Sequence, residues 1–196
     1  MNKQKLVWYV CYGSNLLKER FLCYLKGGVI PGNTRSERGA KDPSTPVRVE
    51  NIIIPHRLFF SLFSEKWDGS GVAFIDPERD EFARTYGRRY LITEEQFFDV
   101  VRQENGLPED APIEFDEEAL KRDGSVVLFE DSYYGRLMYL GEHQEYPMYS
   151  FTCVPPKSEM METPLEGAYY DVIAAGLHET YGFDEDEITR YLAPYI

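Results

Sequence analysis

The run Leu6-Val7-Trp8-Tyr9-Val10-Cys11-Tyr12 is β-branched and aromatic with no polar alternation, the pattern of a strand covered on both faces. It stops at Gly13-Ser14-Asn15, residue types that favour turns and helix N-caps. Leu16, Leu17 and Arg20 then open a helical pattern. A buried strand feeding a tight turn into a helix aims several free backbone N–H groups at one spot, beside the positive end of the helix dipole. Such a spot accepts a carboxylate or a phosphate. An ordinary strand–turn–helix corner carries the same pattern, so the pattern alone leaves both readings open.

The rest of the composition narrows the partners. At 196 residues and 43% hydrophobic, the chain is expected to form one domain, 1–196, with a proper core. A formal charge of −13 argues against nucleic acid and anionic membranes, which both need a basic surface. No apolar run reaches the length of a membrane span, and no signal-peptide core follows Met1-Asn2-Lys3-Gln4-Lys5. Cys11, Cys23 and Cys153 form neither an even set nor a Cys-x-x-Cys pair, so reduced thiols in a cytoplasm are expected. His56, His143 and His178 show no metal-ligand spacing, and neither a structural metal nor a histidine-based triad is expected.

Along the chain, the first helix is expected from about Leu16 to Leu25, ended by Gly27-Gly28. Residues 27–50 read as a long irregular loop, of the kind that is usually functional or mobile. Strands are expected near Asn51–Ile54, Leu58–Phe63, Gly71–Ile75 and Phe82–Ile92. Thr93 with Gln96 three residues on makes a capping box, opening a helix to about Glu104 that stops at Asn105-Gly106-Leu107-Pro108. Residues 107–125 are acidic and turn-rich. Strand signals return at Val126–Phe129, Ser132–Leu140 and Tyr149–Val154, and helices close the chain at about Ala168–Thr180 and from Asp184 to Leu192. This order predicts an α+β fold, a mixed sheet curled into a small barrel with flanking helices.

The helix ending at Glu104 carries a conflict of pattern. With Phe97 at zero on the wheel, Phe97, Phe98, Val100 and Val101 mark the apolar face, and Glu104 falls within it at roughly 340°. Asp99, Arg102 and Gln103 fall on the side expected to face solvent. A carboxylate aimed at a core calls for a partner or a cavity, and desolvation raises its pKa toward the range of a general acid–base. The competing reading is that Glu104, on the last turn, swings out to water. Glu94 and Glu95 in the first turn simply suit the helix dipole. Cys11 reads as a small buried hydrophobe. Ser14 is not in a Gly-x-Ser-x-Gly elbow and no histidine lies near it in sequence. Arg88 and Arg89 either steer an anion or line a solvated strand edge.

Tyr12-Gly13-Ser14-Asn15-Leu16 after an aromatic strand resembles the signature of the γ-glutamylcyclotransferase-like proteins. Trp67-Asp68-Gly69-Ser70-Gly71-Val72-Ala73-Phe74-Ile75, Gln103-Glu104-Asn105-Gly106 and Tyr169-Tyr170-Asp171-Val172-Ile173-Ala174-Ala175-Gly176 are similar to later segments of that family, in the same order. The loop at 27–50 and the segment after Glu104 are longer than the family's pattern. The resemblance implies an enzyme that cyclises a γ-glutamyl group to 5-oxoproline and releases an amine, without cofactor or metal. Glu104 would be the catalytic acid–base. Tyr12, Gly13, Ser14, Asn15, Leu16 and Tyr169 would bind a small γ-glutamyl substrate. A homodimer stays open. The alternatives are a non-catalytic protein that binds a small carboxylate on the same fold, and a hydrolase acting through Ser14.

Overall fold

The computed structural model describes residues 4–29 and 35–196. Part of the expected 27–50 loop, residues 30–34, and the first three residues of the chain lie outside them. Strands and helices follow in the order β1 Leu6–Cys11, α1 Lys18–Lys26, β2 Gly28–Val29, β3 Ser36–Glu37, β4 Arg48–Ile54, β5 His56–Ser61, β6 Val72–Arg79, β7 Thr85–Thr93, α2 Glu94–Glu104, α3 Glu117–Asp123, β8 Ser125–Val127, β9 Arg136–His143, β10 Tyr146–Thr152, α4 Gly167–Tyr181 and α5 Glu185–Leu192.

The expected buried strand is at the heart of the molecule. β1 lies inside a six-stranded mixed sheet of order β4-β7-β1-β10-β9-β8. It pairs antiparallel with β7, from Leu6 opposite Thr93 to Cys11 opposite Arg88. On its other side it runs parallel to β10, with Trp8 opposite Met148. Side chains alternate across a strand, and here both faces are buried. Val7, Tyr9 and Cys11 point into a core with Phe21, Tyr24, Phe97 and Val101, which brings α1 and α2 onto that face. Val10 and Tyr12 point into a second core with Phe74, Tyr169 and Ile173, which brings β6 and α4 onto the other. That double coverage explains why β1 shows no polar alternation.

No backbone ladder closes the sheet into a barrel among the described residues. β5 and β6 form a ladder of their own. One link to the main sheet runs through a side chain: the Thr152 hydroxyl on β10 accepts from the Ile75 N–H at 3.2 Å and donates to the Ile75 carbonyl at 2.6 Å.

Helix α2 starts where its capping box requires. The Thr93 hydroxyl accepts from the Gln96 N–H at 3.1 Å, and the Gln96 side chain accepts from the Thr93 N–H at 3.0 Å. Its outer face is not solvated as the wheel implied. Asp99 is buried, accepting from the Lys41 N–H at 2.9 Å and ion-paired to Arg102 at 2.9 Å. Gln103 accepts from the Gly39 N–H, and Gln96 donates to the carbonyls of Asp42 and Ser44. Residues 39–44 therefore lie as a strap along α2 and use its polar side chains as anchors.

Three other expectations shift. The acidic segment 107–125 contains α3, N-capped by Asp116 and tied to the core by the fully buried Leu120. The first helix begins later than expected, because Ser14–Leu16 make a separate 3-10 turn before α1. β7 starts at Thr85, and Phe82 is left 94% exposed in the preceding turn.

Candidate active site

The turn expected to hold an anion sits at the end of β1, and its internal bonds decide which N–H groups it can offer. Leu16 donates to the Gly13 carbonyl at 3.0 Å and Leu17 to the Ser14 carbonyl at 3.1 Å. The N–H groups of Gly13, Ser14 and Asn15 take no part in these bonds. Those three residues line a small inner recess with Tyr9, Cys11, Tyr12, Ala73, Glu104, Tyr134 and Tyr169. Helix α4 closes one wall. Tyr169, Ile173 and Gly176 share one face of it. Tyr169 reaches the recess and Ile173 fills the core. A Cβ on Gly176 would come within 2.6 Å of Leu16 Cβ and of the Leu17 nitrogen, so only glycine lets α4 rest on the turn this closely.

Of the seven residues expected at the site, six line the recess: Tyr12, Gly13, Ser14, Asn15, Glu104 and Tyr169. Leu16 does not. It is buried beneath the turn, and its carbonyl accepts from Arg88 at 2.8 Å. Its N–H is spent inside the turn, so Leu16 supports the site from behind.

Glu104 is the last residue of α2, and the helix end is held. The Asn105 amide donates to the Val101 carbonyl at 2.8 Å and, more weakly, to the Tyr134 carbonyl at 3.4 Å. Ser132 bonds to the other end of that amide. Gly106, at φ 63°, turns the chain away. The Glu104 side chain neither enters the apolar core nor escapes to bulk water: it is half-buried on the wall that the recess shares with a larger outer basin.

The hydroxyls around it are held as donors. Burial first, and then the Glu104 charge among the further causes, pushes Tyr9, Tyr24 and Tyr134 well above the ordinary tyrosine value and Tyr169 up to about 12. The Tyr169 hydroxyl accepts from the Ala73 N–H at 3.2 Å, and the Tyr12 hydroxyl donates to the Phe151 carbonyl at 2.7 Å. The Asn15 side chain donates to the Tyr9 hydroxyl at 2.9 Å, while its own oxygen is buried without a hydrogen-bond partner. Burial pushes the Cys11 thiol up to about 12, which leaves it protonated and poorly nucleophilic at neutral pH.

The outer basin opens from the same wall and is lined by Arg20, Arg35, Glu37, Lys66, Gln103 and Tyr133 among others. Arg20 is the residue the sequence did not reveal. It lies on α1 with only 1% of its surface exposed, stacked 4.2 Å above the Tyr24 ring. Its Nη2 donates to the Tyr24 hydroxyl at 2.6 Å and to Glu37 at 3.1 Å. Tyr24 in turn interacts with the Glu104 carboxylate, so Arg20, Tyr24 and Glu104 form one chain. The Arg20-x-x-x-Tyr24 spacing, one helical turn, is the signal that could have found it.

Other candidates lie elsewhere. Arg88 is ion-paired to Glu179, and Arg89 to Glu50; neither lines the recess or the basin. Glu94 pairs with Lys5 at 2.9 Å in the first turn of α2. His56, His143 and His178 bond to Asp76, Arg89 and Phe183 respectively, and none lines either cavity. Among the described residues, no three His, Cys, Asp or Glu side chains gather as a metal-ligand set, and no helix is long and apolar enough to cross a membrane.

Two solved structures define the class of fold. That of a γ-glutamyl cyclotransferase matches at a TM-score of 0.55 and 17% identity, over 98% of this chain and 89% of that one. An uncharacterised protein from Homo sapiens matches at 0.55 and 16% over the same shares. The chain thus has a γ-glutamyl cyclotransferase-like α+β fold over nearly its whole length. Among curated proteins it resembles histone deacetylase 5 of Arabidopsis thaliana, at 36% identity over 199 aligned residues. That match takes in 95% of this chain but spans only 30% of the Arabidopsis protein. No protein-family model matches the chain.

Proposed function

We propose that the protein is a γ-glutamyl cyclotransferase-type enzyme that converts a γ-glutamyl amine or peptide into 5-oxoproline and a free amine. One observation supports the reading most: a single carboxylate, Glu104, lines the same recess as the Gly13-Ser14-Asn15 turn, whose N–H groups are not used in the turn's own backbone bonds. A γ-glutamyl group entering the recess would set its α-carboxylate against that turn. Its α-amine would then face Glu104.

The chemistry requires no nucleophile from the protein. The α-amine nitrogen attacks the γ-carbonyl carbon, forming the ring C–N bond. Glu104 takes the proton that the amine loses and passes it to the departing nitrogen as the original amide C–N bond breaks. No water is consumed. Holding the chain folded back on itself supplies much of the rate, because attack within one molecule carries a high effective concentration. The protonated tyrosine hydroxyls around the recess shape it and can donate without adding charge. Acting on so small a molecule, the enzyme is expected to work in the cytoplasm, consistent with three unpaired, buried cysteines.

The name of the Arabidopsis relative describes a protein of which this chain matches 30%. Deacetylation also cleaves an amide, but it uses water and yields acetate. One set of reactions separates the possibilities. The protein is incubated with γ-glutamyl compounds and, separately, an acetyl-lysine peptide, in oxygen-18 water, with and without EDTA. Unlabelled 5-oxoproline in both EDTA conditions supports the cyclotransferase reading. Labelled glutamate would instead indicate hydrolysis, by Ser14 or a metal-bound water. Binding of 5-oxoproline with no product from any substrate would favour the non-catalytic carboxylate binder.

A further inference from the structure

We propose that Tyr24 is a positioning residue for Glu104: its hydroxyl, backed by the buried Arg20 guanidinium, holds one carboxylate oxygen so that the other is presented to the recess. This rests on the cyclotransferase reading for what Glu104 does there, but not for the contact between the two side chains.

A tyrosine hydroxyl has one proton to donate and an oxygen that can accept. Arg20 Nη2 lies 2.6 Å from the Tyr24 oxygen. A guanidinium only donates, so Tyr24 is the acceptor in that bond and its own proton is free for another partner. Its further side-chain partner is the Glu104 carboxylate, which accepts. Tyr24 keeps its proton at neutral pH. Burial is the main cause that holds the phenol well above its ordinary value, with Glu104 and Glu37 adding to it against the pull of Arg20.

The backbone fixes where this contact falls. Gln103, one residue before Glu104, donates to the Tyr24 carbonyl at 2.9 Å and accepts from the Gly39 N–H at 3.2 Å. Helix α1, the strap and the last turn of α2 are therefore tied together beside Glu104. Tyr24 is 0% exposed and lines neither the recess nor the basin, so it reaches a substrate only through Glu104.

Arg20 serves this contact from behind. Its Nε and Nη1 are buried and meet no acceptor in the protein, so its hydrogen bonding runs through Nη2, to Tyr24 and to Glu37. Glu37 is held in turn by Lys66 at 2.7 Å. The guanidinium stays charged, because Tyr24, Glu104 and Glu37 outweigh its burial. A cation donating to a hydroxyl oxygen polarises the O–H bond and makes it a better donor to the next acceptor. A half-buried carboxylate on a last helical turn can otherwise rotate, and a proton acceptor displaced by about 1 Å costs about 10²-fold in rate.

The test is Tyr24→Phe, which removes the hydroxyl and keeps the ring, assayed on γ-glutamyl-alanine and γ-glutamyl-ethylamine. The kcat value is expected to fall by about 10- to 100-fold with KM unchanged. In a Glu104→Gln background, which has no proton shuttle left to position, Tyr24→Phe is expected to cause no further loss. An unchanged kcat, a parallel change in kcat and KM, or a full further loss in the Glu104→Gln background would each overturn the proposal. Urea midpoints of the wild type, Tyr24→Phe, Glu104→Ala and the double variant test the contact without any turnover. The midpoint shift caused by Tyr24→Phe should shrink once Glu104 is alanine, and equal shifts in both backgrounds overturn the contact. If neither compound is turned over by the wild type, the cyclotransferase reading is what fails, and the urea cycle still decides Tyr24. If Tyr24→Phe does not fold, Arg20→Lys replaces it, keeping the charge but not the fork: a fall in kcat alone supports the proposal, and an unchanged kcat overturns it.

Discussion

The hydroxyl oxygen of Tyr169 stands 3.0 Å from the point where a Cβ on Gly13 would lie, with the Ala73 Cβ 3.1 Å away on another side. Gly13 has φ −115°, so its backbone demands no glycine. The demand is one of space. A side chain there would press into the recess and against the hydroxyl that seals it. Gly13→Ala should fold with a loss of about 1–2 kcal/mol from overpacking, and Gly13→Val should block 5-oxoproline binding. Urea denaturation and calorimetry read the two effects. Wild-type affinity in the valine variant would show that the turn is not a ligand site.

Glu104→Gln keeps the shape of the side chain and removes the proton shuttle. Because Glu104 is half-buried at a helix end that Asn105 holds independently, the variant should melt close to the wild type. Turnover should fall by about 10² to 10⁴, the usual contribution of a general acid–base. Ligand binding should survive. Near-normal 5-oxoproline release from a folded Gln variant removes Glu104 from the mechanism.

Asp99→Ala tests the strap on α2. Asp99 is buried and holds both the Lys41 N–H and Arg102. Losing it strands those two donors and should cost about 1–3 kcal/mol. Hydrogen exchange at the Lys41 amide should accelerate more than exchange in β1. Uniform acceleration across the protein would instead mean that the strap and the core unfold as one unit.

His56 gives a pH signature. Burial is the main cause that holds its imidazole below the ordinary value of 6.5. The unfolded chain therefore binds the proton first as pH falls, and stability rises with pH wherever the unfolded state holds more protons. Its contribution is complete above about pH 6.5 and is lost progressively as pH falls from there to the folded-state value. His56→Asn keeps a donor near the Asp76 carbonyl, which the ring contacts at 2.8 Å, and removes the titration. Stability curves of the two proteins should converge at acid pH. If wild type and variant show the same pH slope, His56 does not titrate as described.

What the sequence made legible was local. The Thr93–Gln96 box marked the start of α2, and Asn105-Gly106 marked its end, so Glu104 could be put on the last turn before any contact was known. The misreadings were non-local. Asp99 falls on the polar side of the wheel, and only the strap at residues 39–44, remote in sequence, turns that side into an interior. α3 shows few apolar residues, and its one anchor, Leu120, has meaning only against the β-sheet core. Arg20 registers in the sequence only as part of an opening helical pattern, because nothing in α1 announces that Glu37 and Glu104 will come against it. The parallel partnership of β1 and β10 leaves no local trace at all.

That partnership has a kinetic consequence. β1 leaves the ribosome well before both its neighbours, β7 and β10, the second ending at Thr152. Such remote pairing is slow to form, since a long loop must close before any contact rewards it. During synthesis the most apolar strand of the chain waits without a sheet, at a stage when exposed strands invite aggregation. Gly13, Ser14 and Asn15 hang from its end, so the recess should be among the last features completed on refolding. Recovery of ligand binding after denaturation should then lag behind the return of helix signal from α1 and α2.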